Sequence, residues 1–365
     1  MRFVHFADVH LDTQFAWAEP RVAARRRQAL RDAVATIVQL AIDTRVDALF
    51  CAGDLYEQDR FSPDTAAFLR TTFERADPLP IFIAPGNHDW LGPTSLYSIV
   101  RWSPNVRIFG RDHLTPVTLA DGLTLWGAAN RAPANTTGFL DSFRVDRGGV
   151  HIGLFHGSEQ SSLLLQEQGK VAYAPFASAQ VRASGLTHAF VGHYHTPVDA
   201  ETFTYPGNPE PLSFGETGHR GPVIVTVDAD GAVTRERRVI AKTVVQDLAV
   251  DLTGCGSSQD IRDRVTRALS GVTGTVRLTL AGEVDPDVDT RLEELADVAP
   301  GLDALVVRAG NLRIAYDLER LRSEQTVRGE FVRDVSDAEM SSTLKQKVLA
   351  TGLRALDGRQ DLDVD

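Results

Sequence analysis

The chain has 365 residues, more than one small core organises and enough for two domains at ~150 residues each. Hydrophobic residues make up 43% and charged ones 24%, a soluble globular mix, and no uninterrupted apolar run approaches the ~20 residues of a membrane span. Residues 1–240 carry 22 Lys and Arg against 26 Asp and Glu, and residues 241–365 carry 16 against 23, so at a net charge of −11 neither half has the basic field of a protein that holds nucleic acid unaided.

The opening stretch, MRFVHFADVH, enters strand-like sequence after a single Arg and resembles no signal peptide, which predicts a cytoplasmic protein. Residues 2–9 read as a first strand. A helix follows, with Leu30, Val34, Ile37, Val38, Ala41 and Ile42 at helical spacing. DALFCAG is a second buried strand, in which Cys51 reads as a small hydrophobe; its distance from Cys255 fits a reducing compartment. Ser62-Pro63-Asp64 reads as an N-cap followed by Pro at the first helical position. The third strand, IFI, is stopped by Pro85-Gly86. This strand–helix rhythm predicts parallel pairing.

Beyond residue 100 the strands shorten to VRIFG, LTLWGAA, VHIGLFH, HAFVGHYH and GPVIVTVD, with one helix at 178–184. The pattern predicts an α/β (α+β) fold built as a two-sheet sandwich with helices outside. Around residue 240 it changes again, and VVQDLAVDL, DIRDRVTRAL, TVRLTLAG, DTRLEELADV and LDALVVRAG alternate strand and helix. The domains expected are 1–240 and a smaller α/β module, 241–365. Ser336 with Glu339 reads as a capping box for an amphipathic helix over 337–350, carrying Met340, Leu344 and Val348.

Metal-binding side chains fall at five strand ends: Asp8 and His10, Asp54, Asn87 and His88, His156, and His193 with His195. Four of the five adjoin a glycine, which lets backbone pass close to a crowded centre. Residues two apart on a strand point the same way, so Asp8 and His10 are placed to clasp one ion, and His193 and His195 repeat the geometry. Setting His88 aside leaves two carboxylates, one amide and four imidazoles, more than one ion needs. Without a thiolate, that donor set suits Mn²⁺, Fe²⁺ or Zn²⁺ better than Ca²⁺ or a structural zinc. Two ions ~3.5–4 Å apart that share one carboxylate form a clamp for in-line displacement at phosphorus, where a bridging hydroxide attacks and a proton donor meets the leaving oxygen. His5, His113, His151, His188 and His219 read as ordinary polar residues.

The order Asp-x-His, Gly-Asp, Gly-Asn-His-Asp, His, Gly-His-x-His resembles that of the calcineurin-like metallophosphoesterases over residues 8–195. The resemblance implies that Asp8, His10 and His195 hold one ion, that Asn87, His156 and His193 hold the other, and that Asp54 bridges. It makes His88 the histidine that assists the phosphate and leaving group, with Asp89 orienting it. RFVHFADVHLD, GDLYEQDRFSPD, YPGNPEPLSFGETG and TVRGEFVRDV look like the DNA-repair exonuclease branch, the SbcD- and YhaO-like proteins. That likeness implies a Mn²⁺-dependent nuclease acting on DNA ends. It also implies an SMC-like ATPase partner, and a C-terminal module that caps the nuclease. Glu57 departs from the Asp or His of related nucleases, which puts the balance of exonuclease and endonuclease activity in question.

With so little basic surface, DNA grip is expected to come from a homodimer and the ATPase. The local candidates, Arg21, Arg25, Arg26, Arg27 and Arg31 on the first helix, read more simply as a solvated face. The 337–350 helix reads equally as a docking face or as packing on its own module. Two other functions compete: a phosphodiesterase of small cyclic nucleotides, and a non-catalytic scaffold that should have lost ligands.

Overall fold

Continuous apolar runs and their Gly or Pro stops set the frame. The computed structural model describes residues 1–133, 140–161, 172–288, 292–295 and 297–358. By backbone contacts the chain divides into Met1–Thr243 and Val244–Asp365.

In the first unit the elements are β1 (Arg2–Phe6), α1 (Pro20–Asp43), β2 (Ala48–Cys51), α2 (Pro63–Glu74), β3 (Ile81–Ile83), α3 (Leu96–Ile99) and β4 (Val106–Ile108). There follow β5 (Thr115–Ala120), β6 (Leu123–Gly127), β7 (Val150–His156), α4 (Ser178–Ala183), β8 (His188–Gly192), β9 (Val198–Asp199), β10 (Phe203–Tyr205), β11 (Val223–Val227) and β12 (Val233–Arg237). One sheet has the order β12-β11-β1-β2-β3-β4 and the other β5-β6-β7-β8-β10-β9. From β1 to β4 every pairing is parallel, and β11 closes antiparallel on β1. Ser62 caps α2 by accepting from the Thr65 amide, with Pro63 in the first turn.

The two sheets face each other across an aromatic and aliphatic core. Phe3 stacks on Phe50 at 4.1 Å and meets Phe190 of the opposite sheet edge-on at 4.9 Å. Leu30, Val34, Ile37 and Val38 of α1 cover the outer face of the first sheet with Leu69 and Phe73 of α2. Phe155, Phe176 and Val181 fill the outer side of the second. The sandwich with outer helices is therefore the fold, and both sheets end their central parallel strands at one rim.

In the second unit β13 (Val245–Asp251), β14 (Thr275–Val284) and β15 (Ala304–Ile314) form a parallel sheet with α5 (Ser258–Ala268). Three further helices follow: α6 (Leu318–Ser323), α7 (Val327–Asp337) and α8 (Ser342–Leu356). The expected DTRLEELADV helix is a short 3₁₀ turn at Leu292–Leu295, the rest of that stretch lying partly outside the described residues. The 337–350 helix is also corrected. Ser336 belongs to the last turn of α7 and accepts from Lys345 Nζ at 2.6 Å, while Ser341 caps α8 by accepting from the Leu344 amide. Apolar spacing survives a helix break when both segments pack on a shared cluster, here Leu321, Val332, Val335, Leu349 and Leu353.

Candidate metal centre

All the metal-binding positions expected from sequence meet at the shared rim of the first unit, although strand alternation is not what gathers them. β1 stops at Phe6, and Asp8 and His10 follow in left-handed backbone, at φ 55° and 52°. Asp54 (φ 51°) and His193 (φ 118°) are strained in the same way, each just past a strand. Surrounding ladder bonds over-determine these conformations. The Asp8 amide donates to Gly53 O at 3.0 Å and the His10 amide to Asp54 O at 2.9 Å. Gly86 is required by close approach, because a Cβ there would strike the Asp54 carboxylate and come within 2.7 Å of the Asp54 amide.

Hydrogen placement follows from chemistry, since a carboxylate or carbonyl can only accept. His10 Nδ1 donates to Glu57 Oε1 at 2.8 Å, and His195 Nδ1 donates to Glu216 Oε1 at 2.8 Å. Their Nε2 atoms, 3.2 Å apart, then direct lone pairs at each other, with Asp54 Oδ2 3.6 Å from His10 Nε2. His156 Nδ1 donates to Ala52 O at 2.8 Å, so its Nε2 faces Asn87 Oδ1 at 3.0 Å and Asp54 Oδ2 at 3.2 Å as another lone pair. His193 Nδ1 lies 3.2 Å from the same Asn87 oxygen. Asp8 accepts from the His193 amide at 3.0 and 3.2 Å and joins His10 and His195 in one group of potential ligands.

A buried cluster of acceptors facing acceptors demands positive charge between them. That is the test of fit for divalent cations, and this nitrogen and oxygen set passes it. In the bare chain protons supply part of the charge. Burial pulls the His156 pKa down, but the charge and hydrogen bond of Asp54 outweigh it and raise it to about 9. Burial pushes Asp8 up, whereas Asp54, against the penalty of its burial, is held well below the carboxylate range by His156. Burial, seconded by His156, drives His193 down to about 3.

A family model for the calcineurin-like phosphoesterases matches residues 1–197. The chain belongs to that family. As a calcineurin-like phosphoesterase it is a metal-dependent hydrolase, and its family implies divalent ions. It is 27% identical to the metallophosphoesterase YhaO of Bacillus subtilis over 69% of this chain and 64% of that protein, so it spans less than two thirds of that relative. It is also 28% identical to the DNA double-strand break repair protein Mre11 of Haloferax volcanii over 100% of this chain and 76% of that one. To the Aeropyrum pernix protein of the same name it is 25% identical, covering 76% and 69%.

The other expected site residues divide. The His88 amide donates to Asp54 Oδ1 at 2.8 Å, and its half-exposed ring donates from Nδ1 to Glu57 Oε2 at 3.0 Å. The expected orienting neighbour, Asp89, is corrected. Its fully buried carboxylate points inward and accepts from the amides of Asp54, Gly86 and Leu55 and from Tyr97 Oη, at 2.5–3.0 Å. It braces the turn that carries the cluster, and Glu57 holds the ring. Glu57 was visible in sequence only as a departure, and Glu216, 21 residues past His195, was visible only as part of the YPGNPEPLSFGETG stretch, with no role attached.

Of the candidate arginines, Arg26 is buried, donates to Pro211 O at 2.6 Å and lies over the Phe15 and Trp17 rings. Arg31 pairs with Asp64. Arg21 and Arg25 are exposed. The first helix therefore does not present five equivalent cations to solvent. His151 takes a hydrogen bond from Trp126, and His5 and His188 sit buried beside Thr204.

Proposed function

We propose that the chain is a two-metal phosphodiesterase, a DNA-repair nuclease acting on DNA ends with Mn²⁺ (Fe²⁺ or Zn²⁺ also suiting the donors). Asp8, His10 and His195 would hold one ion, Asn87, His156 and His193 the other, and Asp54 would serve both. One observation carries this: seven potential ligands from five strand ends converge, with the His10 and His195 Nε2 atoms facing each other and Asp54 Oδ2 and Asn87 Oδ1 both facing His156 Nε2. The names of the Mre11 relatives support DNA as substrate. Bound divalent ions supply Lewis acidity toward the phosphate and lower the pKa of water.

The chain's own residues handle the proton. Glu57 occupies His88 Nδ1, so Nε2 is the atom free to give a proton to the leaving oxygen. The Asp54 carboxylate fixes the His88 backbone, tying that donor to the bridging residue. An SMC-like ATPase and a second copy of the chain supply the DNA grip that a net charge of −11 denies it, with residues 244–365 as the capping or partner module, in the cytoplasm, where the free cysteines Cys51 and Cys255 stay reduced. Among the described residues no helix is long and apolar enough to cross a membrane.

The same negative charge favours a second reading, hydrolysis of small cyclic nucleotides. Incubating the protein in Mn²⁺ with linear duplex DNA and, separately, with a cyclic dinucleotide decides between them, with metal content measured in parallel. Asp54→Asn should abolish activity and lower bound metal; full activity in that variant rejects the assignment.

A further inference from the structure

The four histidines of the cluster differ in what stands behind them. His10 and His195, which share a position with Asp8, each lean on a glutamate, at 2.8 Å in both cases. His156 leans on the neutral carbonyl of Ala52, and His193 Nε2 has no hydrogen-bond partner among the described residues. The remaining donor of that second position, Asn87, is neutral too.

Neither glutamate is loosely placed. Glu216 accepts from Asn208 Nδ2 at 2.5 Å, the Leu212 amide at 2.7 Å and Ser213 Oγ at 3.0 Å. Arg220 then clamps the carbonyl oxygens of both Glu216 and His195 at 2.8 Å. Glu57 divides its oxygens between His10 and His88. Both positions share Asp54, and Asp8 also lies 4.0 Å from His156 Nδ1, so the difference between them is the two outer carboxylates, Glu57 and Glu216, behind one position against none behind the other.

We propose that Glu57 and Glu216 grade the two positions, so that Asp8, His10 and His195 take up a divalent cation first and hold it, while Asn87, His156 and His193 fill second and exchange. A carboxylate accepting from the far side of an imidazole fixes the ring and makes its other nitrogen a stronger donor. Such outer partners are worth ~10–100-fold in metal affinity. Two of them strengthen the donors of one position, and no carboxylate does the same for the histidines of the other. The inference rests on the seven-ligand reading, yet neither glutamate belongs to that set, and Glu216 lies beyond the residues matched by the family model.

The test is a titration of the metal-free full chain with Mn²⁺ alone, free ion being followed by its electron paramagnetic resonance signal. Wild type should bind two ions in steps at least ~10-fold apart, and His193→Ala should remove only the weaker step. Glu216→Gln should weaken the tight step by ~10–100-fold and leave the weaker one within ~3-fold. Glu57→Gln, on a different loop, should do the same and carries the test if Glu216→Gln fails to fold by circular dichroism. Equal steps in wild type, loss of the tight step in His193→Ala, or equal weakening of both steps in the glutamine variants overturns the inference while leaving the ligands in place. No Mn²⁺ bound to wild type overturns the ligand set and the inference with it.

Discussion

His88 is held at three points, by its amide on Asp54, by its carbonyl on the Gln58 amide and by its ring on Glu57, and among the described residues it hydrogen-bonds no other member of the cluster. Its replacement therefore separates proton delivery from metal binding. His88→Ala should keep its metal content while turnover on DNA falls ~10²–10⁴-fold. On a p-nitrophenyl phosphodiester, whose leaving group departs without a proton, the loss should be much smaller; equal losses on both substrates would reject the acid role. Burial opposes the charged ring, but the Glu57 hydrogen bond and the Asp54 charge prevail and raise its pKa to about 9 in the metal-free chain. The protonated form is the donor, so the rate of the metal-loaded enzyme falls as pH rises through the His88 pKa, which the positive charge of bound cations lowers from its metal-free value. Glu57→Gln removes one of the charges that raise it, and the alkaline decline should begin at lower pH, read from a pH–rate profile of each protein.

At the scale of elements, the site depends on how closely the loops after β2 and β3 approach. Gly86→Ala puts a methyl against the Asp54 carboxylate and amide, an overpacking that should cost ~1–3 kcal/mol and impair Mn²⁺ binding, seen by thermal melting and titration. The interface between the sheets has its own pH signature. Burial lowers His5 of β1 to about 3 and His188 of β8 to about 4, both below the ordinary 6.5. Between those values and 6.5 the unfolded chain binds protons that the folded one refuses, so stability is complete above pH 6.5 and is lost as pH falls. Melting temperature should drop from pH 6.5 to 4, and His5→Phe, which places a ring beside Phe190, should make the drop shallower.

For the whole molecule, charge and partition matter most. A duplex offers one phosphate per ~1.7 Å of axis, and a chain of net charge −11 should bind DNA weakly, its affinity falling steeply with salt. Tight binding by the lone chain at ~150 mM salt would contradict this. The cluster and its outer glutamates all precede Val244 and share the hydrophobic core of the first unit. A chain ending at Thr243 should accordingly keep Mn²⁺ binding and hydrolysis of a small phosphodiester, measured against the full chain.

The order of donors, the parallel strand–helix frame and the Ser62–Pro63 helix start were determined by sequence alone. A strand buried on both faces is a near-continuous apolar run, here broken in β1, β7 and β8 by hydrogen-bonded histidines, and its Gly or Pro stop marks where a polar side chain can project. Tertiary structure decided the rest: that left-handed backbone rather than strand alternation brings Asp8 to His10, that Asp89 braces the turn, and that Glu57 and Glu216 back two of the histidines. Those contacts join residues 21 to 47 positions apart or reverse a side chain within one turn, and no periodicity encodes a hydrogen bond between loops. Only the folded rim brings such groups within reach.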